Sequence, residues 1–191
     1  RHTYHTDHWP LNRTMGALCS CCTGKKDRQV LIVGLDNAGK STILKRLMGD
    51  DDFDQTVATI GFDMRELEYG RSTFSLWDVG GQSGVRPMWK HYFIGTHAII
   101  FVVDAADDKR FPEAKAELQR LAADVELRGV PLLVLANKMD LPGAANESGI
   151  SVGLGLPDLR DRKWHLQQTC ALTRYGLDEG LGWMAGAVAE R

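Results

Sequence analysis

The run "QVLIVGL" (29–35) is short, apolar and β-branched, and in the following "KSTILKRLM" (40–48) Ile43, Leu44 and Leu47 recur at helical spacing. The pattern predicts a strand, a turn and a helix in direct succession. "DDDFDQTVAT" is acidic, polar and without period, and reads as a loop. "GFDMRELEYG" and "STFSLWDV" alternate apolar with polar and are joined through Tyr69, Gly70, Arg71 and Ser72, which predicts a β-hairpin. "HAIIFVVDAA" and "VPLLVLANK" are continuous apolar runs, the mark of strands buried on both faces. Between them "FPEAKAELQRLAADVEL" predicts a helix with Pro112 in its first turn. "KWHLQQTC" reads as a last strand and "GLDEGLGWMAGAVAE" as a closing helix despite its glycines. There is no internal repeat. Strands alternating with helices call for an α/β fold, with a mostly parallel six-stranded sheet, helices on both faces, and one antiparallel edge strand from the hairpin.

Composition narrows this picture. With 191 residues, 43% of them hydrophobic, the chain is long enough for one substantial core and too short for two ordinary domains. A formal net charge of -2 gives no general attraction to nucleic acid, which is not an expected partner. No apolar run approaches the roughly 20 residues needed to span a bilayer, and the N-terminus lacks the pattern of a secretory signal, so a cytoplasmic protein is expected. Cys19, Cys21 and Cys22 crowd the first 22 residues of the chain and Cys170 is remote, which is not the spread of a disulfide framework.

The chemistry begins at "GLDNAGKSTILKRL". Gly34-x-x-x-x-Gly39-Lys40-Ser41 sits between the predicted strand and the predicted helix, the context a phosphate-binding loop needs. Glycines let consecutive backbone N–H groups turn inward around a phosphate, and the helix starting at Lys40 adds its positive dipole end. Lys40 is expected on the terminal phosphates and the Ser41 hydroxyl on Mg²⁺. The alternative is an ordinary tight turn, but four such positions match by chance in about one chain of this size in a hundred before the context is counted.

Two further stretches bear on the nucleotide. "WDVGGQ" places Asp78 at a strand end, followed by Gly81 and Gln82. A carboxylate there can hold Mg²⁺ through water, and Gly81 leaves its N–H free to meet a γ-phosphate. "NKMD" (137–140) follows an apolar strand at the end where open α/β sheets bind ligands. The Asp140 carboxylate can accept hydrogen bonds from the N1–H and N2 amine of guanine, a pair that adenine does not offer. Its alternative role is a helix cap ahead of Pro142.

From Lys25 to the C-terminus these residues resemble the Ras-like small GTPases, and within them the ADP-ribosylation factor and Arf-like branch. "GLDNAGKST", "TIGF", "WDVGGQ", "RPMWKHYF", "FVVDAAD", "NKMDLPGA" and "TCAL" match that branch in order and at family-like spacing. The resemblance implies the P-loop GTPase fold and a GTP/GDP switch with slow intrinsic hydrolysis, acting in membrane traffic or in organelle or cilium organisation. It implies nucleotide contacts from Asp36, Asn37, Ala38, Gly39, Lys40, Ser41 and Thr42, with Thr59 completing the Mg²⁺ shell beside Ser41 and Asp78. Gly81 would meet the γ-phosphate and Gln82 would orient the attacking water. Asn137, Lys138 and Asp140 would hold guanine, with Cys170 and Ala171 at its O6, Ala171 through its backbone N–H. Phe62, Trp77 and Tyr92 match the family's exposed aromatic triad for effectors, the alternative for each being core packing. Other implied partners are an exchange factor and a GTPase-activating protein, on a monomeric switch. Ala58 stands where the family usually has a proline, a difference that bears on the rigidity of the first switch loop and not on Mg²⁺.

The N-terminus carries a separate expectation. "MGALCS" from Met15 fits the pattern for myristoylation of Gly16, and Cys19, Cys21 and Cys22 lie where palmitate can be added. Two acyl chains anchor stably where one does not, so the protein is expected on the cytosolic face of a membrane. Residues 1–14 read as an upstream extension or tag, 15–28 as a membrane-targeting segment and 29–191 as the GTPase domain. The rival for the cysteines, metal binding, meets a "CSCC" too compressed for the usual zinc spacing.

Two readings of function remain. The first is a switch that hydrolyses GTP slowly until a partner accelerates it. The second is a nucleotide-dependent binding module with negligible hydrolysis. Gln82 favours the first, because a pure binder has no need of it. A P-loop kinase is third, since nothing in a kinase requires "NKMD". No arginine is obviously placed to act in cis, and Asp36 is expected only to add negative charge near the γ-phosphate.

Overall fold

The computed structural model describes residues 26–50, 52, 53, 58, 59, 61–70 and 72–191. The segment expected to carry acyl groups, around Gly16, Cys19, Cys21 and Cys22, lies outside the described residues. Six strands form one sheet: β1 (Lys26–Val33), β2 (Phe62–Tyr69), β3 (Ser72–Val79), β4 (Thr96–Asp104), β5 (Leu132–Asn137) and β6 (Trp164–Gln168). Their spatial order is β2-β3-β1-β4-β5-β6. The hairpin partner β2 runs antiparallel at one edge, and every other neighbouring pair is parallel.

Each central strand feeds two cores, because successive side chains leave opposite faces. Val30 and Ile32 pack with α1 (Lys40–Met48) and α4 (Leu177–Ala189) on one face. Leu31 and Val33 pack on the other with α2 (Phe111–Ala123), α3 (Glu147–Leu154) and the 3-10 helix Arg86–Tyr92. The chain leaves β1 for β3 on one side and returns to β4 on the other, so β1 marks the point where the winding reverses. Ligands of open α/β sheets gather beyond the strand ends at such a point, and the loop 34–39 lies there. No helix among the described residues is long and apolar enough to cross a membrane.

Three elements depart from the pattern. Strand β1 begins at Lys26, ahead of the apolar run, because Lys26, Asp27 and Arg28 pair with Ser72, Thr73 and Phe74 of β3. Helix α2 stops at Ala123, since Asp124 turns extended and its carboxylate accepts the Glu126 N–H at 3.0 Å, opening a separate 3-10 turn. Helix α3 has no apolar period that announces it and carries Gly149 and Gly153. It stands on the Asn146 cap, whose Oδ1 accepts the Gly149 N–H at 2.8 Å, and on the buried Ile150 and Leu154. At Gly153 a Cβ would lie 2.7 Å from the Phe111 ring, so this glycine is where α3 closes on α2.

Candidate functional site

The phosphate loop is built from backbone geometry that few side chains tolerate. Gly34 has φ +144° and Gly39 φ +92°, both in the region that favours glycine. Between them Asn37 is itself left-handed, at φ +63°. Lys40, buried at the start of α1, donates to the Gly34 and Leu35 carbonyls at 3.0 and 2.8 Å, so its ammonium is held at the loop's mouth. Burial drives its pKa down to about 8, against the opposing pull of the Asp78 and Asp36 charges. An anion at the loop would relieve that strain.

Beneath Lys40, three oxygens from distant segments converge. Ser41 Oγ donates to Asp78 Oδ2 at 2.5 Å and lies 2.8 Å from Thr59 Oγ1, which itself donates to Asp78 Oδ2 at 3.3 Å. Asp78 is fully buried, its Oδ1 has no hydrogen-bond partner among the described residues, and desolvation raises its pKa against the Ser41 bond and the Lys40 charge. An orphaned buried carboxylate oxygen beside two hydroxyls is a donor set for a small hard cation. Mg²⁺ therefore fits at Ser41, Thr59 and Asp78.

These groups open on a cleft of about 310 Å³ whose lining includes Asp36, Asn37, Gly39, Thr42, Gly81 and Gln82. Gly81 admits no side chain: a Cβ there would come within 2.4 Å of Lys40 Nζ and 2.5 Å of Asp36 N. Its carbonyl is held by the Asp36 N–H at 3.1 Å and by Arg86 Nε at 2.8 Å. Gln82 is exposed at the rim. Its own carbonyl accepts from Val85 N and Arg86 N.

A second cavity of about 140 Å³ adjoins the first and shares Gly39, Thr42 and Lys138 with it. Asn137, at the end of β5, ties the two halves together: Nδ2 donates to the Ala38 carbonyl at 2.9 Å and Oδ1 accepts the Ala171 N–H at 3.0 Å. Lys138 takes φ +67° and its ammonium pairs with Asp104 at 2.7 Å, which lays the aliphatic stem along the cavity. Asp140 and Ala171 line it, with the exposed Leu141 and Leu172 beside them.

The motifs expected to cooperate are brought to one place, with three exceptions in role, the first being Ala171, whose N–H, expected on the guanine O6, donates instead to Asn137 Oδ1 at 3.0 Å. Ala38 is buried and serves the loop through its carbonyl. Cys170 does not line the cavity: its side chain is buried and its N–H donates to Tyr175 O, so it braces the loop that presents Ala171. Missed altogether were Arg86 and Arg110. Both reach the phosphate loop, but neither lines the cleft; Arg110 Nη2 donates to Asp36 Oδ1 at 2.7 Å and Arg86 Nη2 to the same oxygen at 3.4 Å. The expectation that Asp36 only adds negative charge is thus corrected, because its carboxylate is paired. A pair 74 residues apart leaves no local signal in the sequence.

The model of the ADP-ribosylation factor family matches residues 15–188. The chain belongs to the ADP-ribosylation factor family. The same architecture is found in the solved small GTPase Arl6 BBS3 of Trypanosoma brucei, determined with the bound nucleotide analogue GppNp, which is 31% identical. The match has a TM-score of 0.79 and covers 86% of this chain and 99% of that one. In this Arf-family chain Phe62, Trp77 and Tyr92 form one cluster, with ring centroids 5.3 to 5.6 Å apart. Phe62 is half exposed, while Trp77 and Tyr92 lean on the core beneath. The triad is therefore neither fully buried nor free-standing.

Proposed function

We propose that this Arf-family protein binds GTP and GDP and acts as a switch that hydrolyses GTP slowly. The observation that supports it most is the convergence of Lys40, Ser41, Thr59 and Asp78 at one end of a cleft whose other end is lined by Asp140 and Ala171. The loop N–H groups and Lys40 would hold the phosphates, and the Gly81 N–H would meet the γ-phosphate. Mg²⁺, held by Ser41, Thr59 and, through water, Asp78, would neutralise charge on the phosphate oxygens. Gln82 would orient the attacking water through its side-chain amide, and Asn137 would keep the phosphate and base halves in register. No arginine lines the cleft among the described residues. Intrinsic turnover of about 10⁻⁴ per second is expected, rising by about 10³ to 10⁵ when a partner supplies the missing cation. Turnover measured with and without such a partner tests the reading, and a chain that binds GTP but shows none in either case is a binding module.

At the base, Asp140 accepts from guanine while the Lys138 stem and the Leu141 and Leu172 side chains flank the ring. Hydrogen bonds to a charged group contribute about 1.5 to 3 kcal/mol, so Asp140→Ala is expected to lower GTP affinity by about 10- to 100-fold. Nucleotide titration checks this, and equal binding of ATP and GTP by the unmodified protein would show the guanine assignment to be wrong.

Phe62, Trp77 and Tyr92 are read as the effector surface, open to partners that change with the nucleotide. Attachment to membranes in traffic or organelle organisation is assigned to acylation of Gly16 and of Cys19, Cys21 and Cys22. "GALCSCCTGKKDRQ" has too few large apolar residues for a long amphipathic helix, and Lys25, Lys26 and Arg28 would add about 1 kcal/mol each on an anionic leaflet. Changing the three cysteines to serine, in a chain started at Met15, is expected to release the protein to the cytosol in both nucleotide states. Full membrane retention on cell fractionation would rule acylation out.

A further inference from the structure

The phosphate loop of a site for a polyanion carries an acid. Asp36 lines the cleft, and an unpaired carboxylate there would repel a triphosphate more than a diphosphate. Its surroundings are built against that outcome. Arg110 donates to Asp36 twice, through Nη2 to Oδ1 at 2.7 Å and through Nη1 to the backbone carbonyl at 3.1 Å. Arg86 reaches the same carboxylate oxygen at 3.4 Å. Burial tends to raise the Asp36 pKa, but the Arg110 bond and charge, with Arg86 behind them, bring it below the usual range. Asp36 is thus ionised at neutral pH, and the paired guanidinium groups offset its field.

The two guanidinium groups are themselves fixed from α2. Glu113 accepts from Arg86 Nη1 at 2.8 Å and from Arg110 Nε at 3.1 Å. Glu117 lies 3.4 Å from Arg86 and is balanced by Arg120 at 3.1 Å. Three carboxylates therefore face three guanidinium groups, with Arg86 buried at the centre. The remaining nitrogen of Arg86, Nε, holds the Gly81 carbonyl, which the Asp36 N–H also holds. The network thus grips the phosphate loop and the Gly81–Gln82 segment together, at the end of the cleft where GTP differs from GDP.

We propose that Arg86 and Arg110 form a clamp on Asp36 that sets the preference of this site for nucleoside triphosphate over diphosphate. The inference rests on the GTP/GDP reading above. Arg110 masks the Asp36 charge, and Arg86 fixes the Gly81 backbone; both are positioning residues. Removing Arg110 leaves Asp36 with only the longer contact to Arg86, a group already shared with Glu113, Glu117 and Gly81. A ligand shifts a preference only by what differs between its forms, and here the difference is the γ-phosphate charge. The Asp36 and Arg110 side chains are 44% and 30% exposed, so solvent screens the effect and salt weakens it.

The test compares the affinities of the full chain for fluorescent GDP and for a fluorescent non-hydrolysable GTP analogue at low salt. Arg110→Gln is expected to shift the ratio about tenfold toward GDP, about 1.4 kcal/mol. Asp36→Asn is expected to shift it toward the triphosphate, and the double variant to return within about twofold of the unmodified protein. Opposite signs with mutual rescue are what charge masking produces; a merely structural role lowers both affinities together and is not rescued. An unmoved ratio in Arg110→Gln, or a parallel loss of both ligands, overturns the clamp. Should circular dichroism show Arg110→Gln unfolded, Asp36→Asn and the double variant decide, a shift toward triphosphate that the double variant reverses supporting the clamp, and no shift, or one that the double variant keeps, overturning it. Failure of the unmodified chain to bind either nucleotide would overturn the functional reading itself, and is seen before any variant is made.

Discussion

Gln82→Leu is expected to abolish activator-stimulated hydrolysis, lowering it by about 10³-fold or more toward the intrinsic rate. The Gln82 backbone is anchored, its carbonyl accepting from Val85 N at 2.9 Å and Arg86 N at 3.2 Å, so the exposed side chain starts from a fixed base at the rim of the cleft. A glutamine amide can accept from a water and donate to a phosphate oxygen at once. Leucine keeps the volume and does neither. Because the side chain is exposed, the substitution should leave stability within about 0.5 kcal/mol and GDP affinity unchanged. Single-turnover hydrolysis with and without an activating protein measures the effect. Stimulated turnover equal to that of the unmodified protein would remove Gln82 from the mechanism.

Gly34→Ala is expected to cost the fold about 3 to 5 kcal/mol, from backbone strain and overpacking together. Gly34 combines φ +144° with a Cβ position 2.1 Å from the Val102 carbonyl oxygen. That oxygen belongs to β4, whose backbone is buried and paired with β1 and β5 on either side, so the neighbour cannot move aside. For a chain of this size each kcal/mol lowers Tm by about 2 to 4 °C, which predicts a fall of about 6 to 20 °C. Gly70→Ala is the control, since Gly70 also has a positive φ, +60°, but nothing lies within 4 Å of its Cβ position. It should lose only the strain, about 1 to 2 kcal/mol. Thermal unfolding followed by circular dichroism separates the two, and a Gly34→Ala midpoint as close to wild type as that of Gly70→Ala would refute the steric argument.

What the sequence by itself determined is what local period and spacing can encode. The strand, loop and helix around Gly34 to Met48 stand where the pattern put them, with α1 spanning Lys40–Met48. The hairpin and the buried strands β4 and β5 are likewise local, and six apolar or alternating runs suffice for the sheet and its antiparallel edge, although alternation did not reveal that the edge strand β2 leaves Phe62 and Met64 exposed. The candidate phosphate site was legible for the same reason, since its glycines, Lys40 and Ser41 lie within eight residues of each other. Tertiary structure decided the rest. Helix α3 had no period to reveal it, because its stability comes from Asn146 at its start and from the fit of Gly153 against Phe111, a residue of another helix. Cys170 turned inward and left the cavity wall to Ala171 because Asn137, 34 residues earlier, fixes the Ala171 N–H. The pairing of Asp36 with Arg86 and Arg110 spans 50 and 74 residues, and nothing near any of the three foretells it. Charges on separate segments meet only because the sheet brings the ends of β3, β1 and β4 side by side, and a contact made by the fold has no spacing in the chain from which to be read.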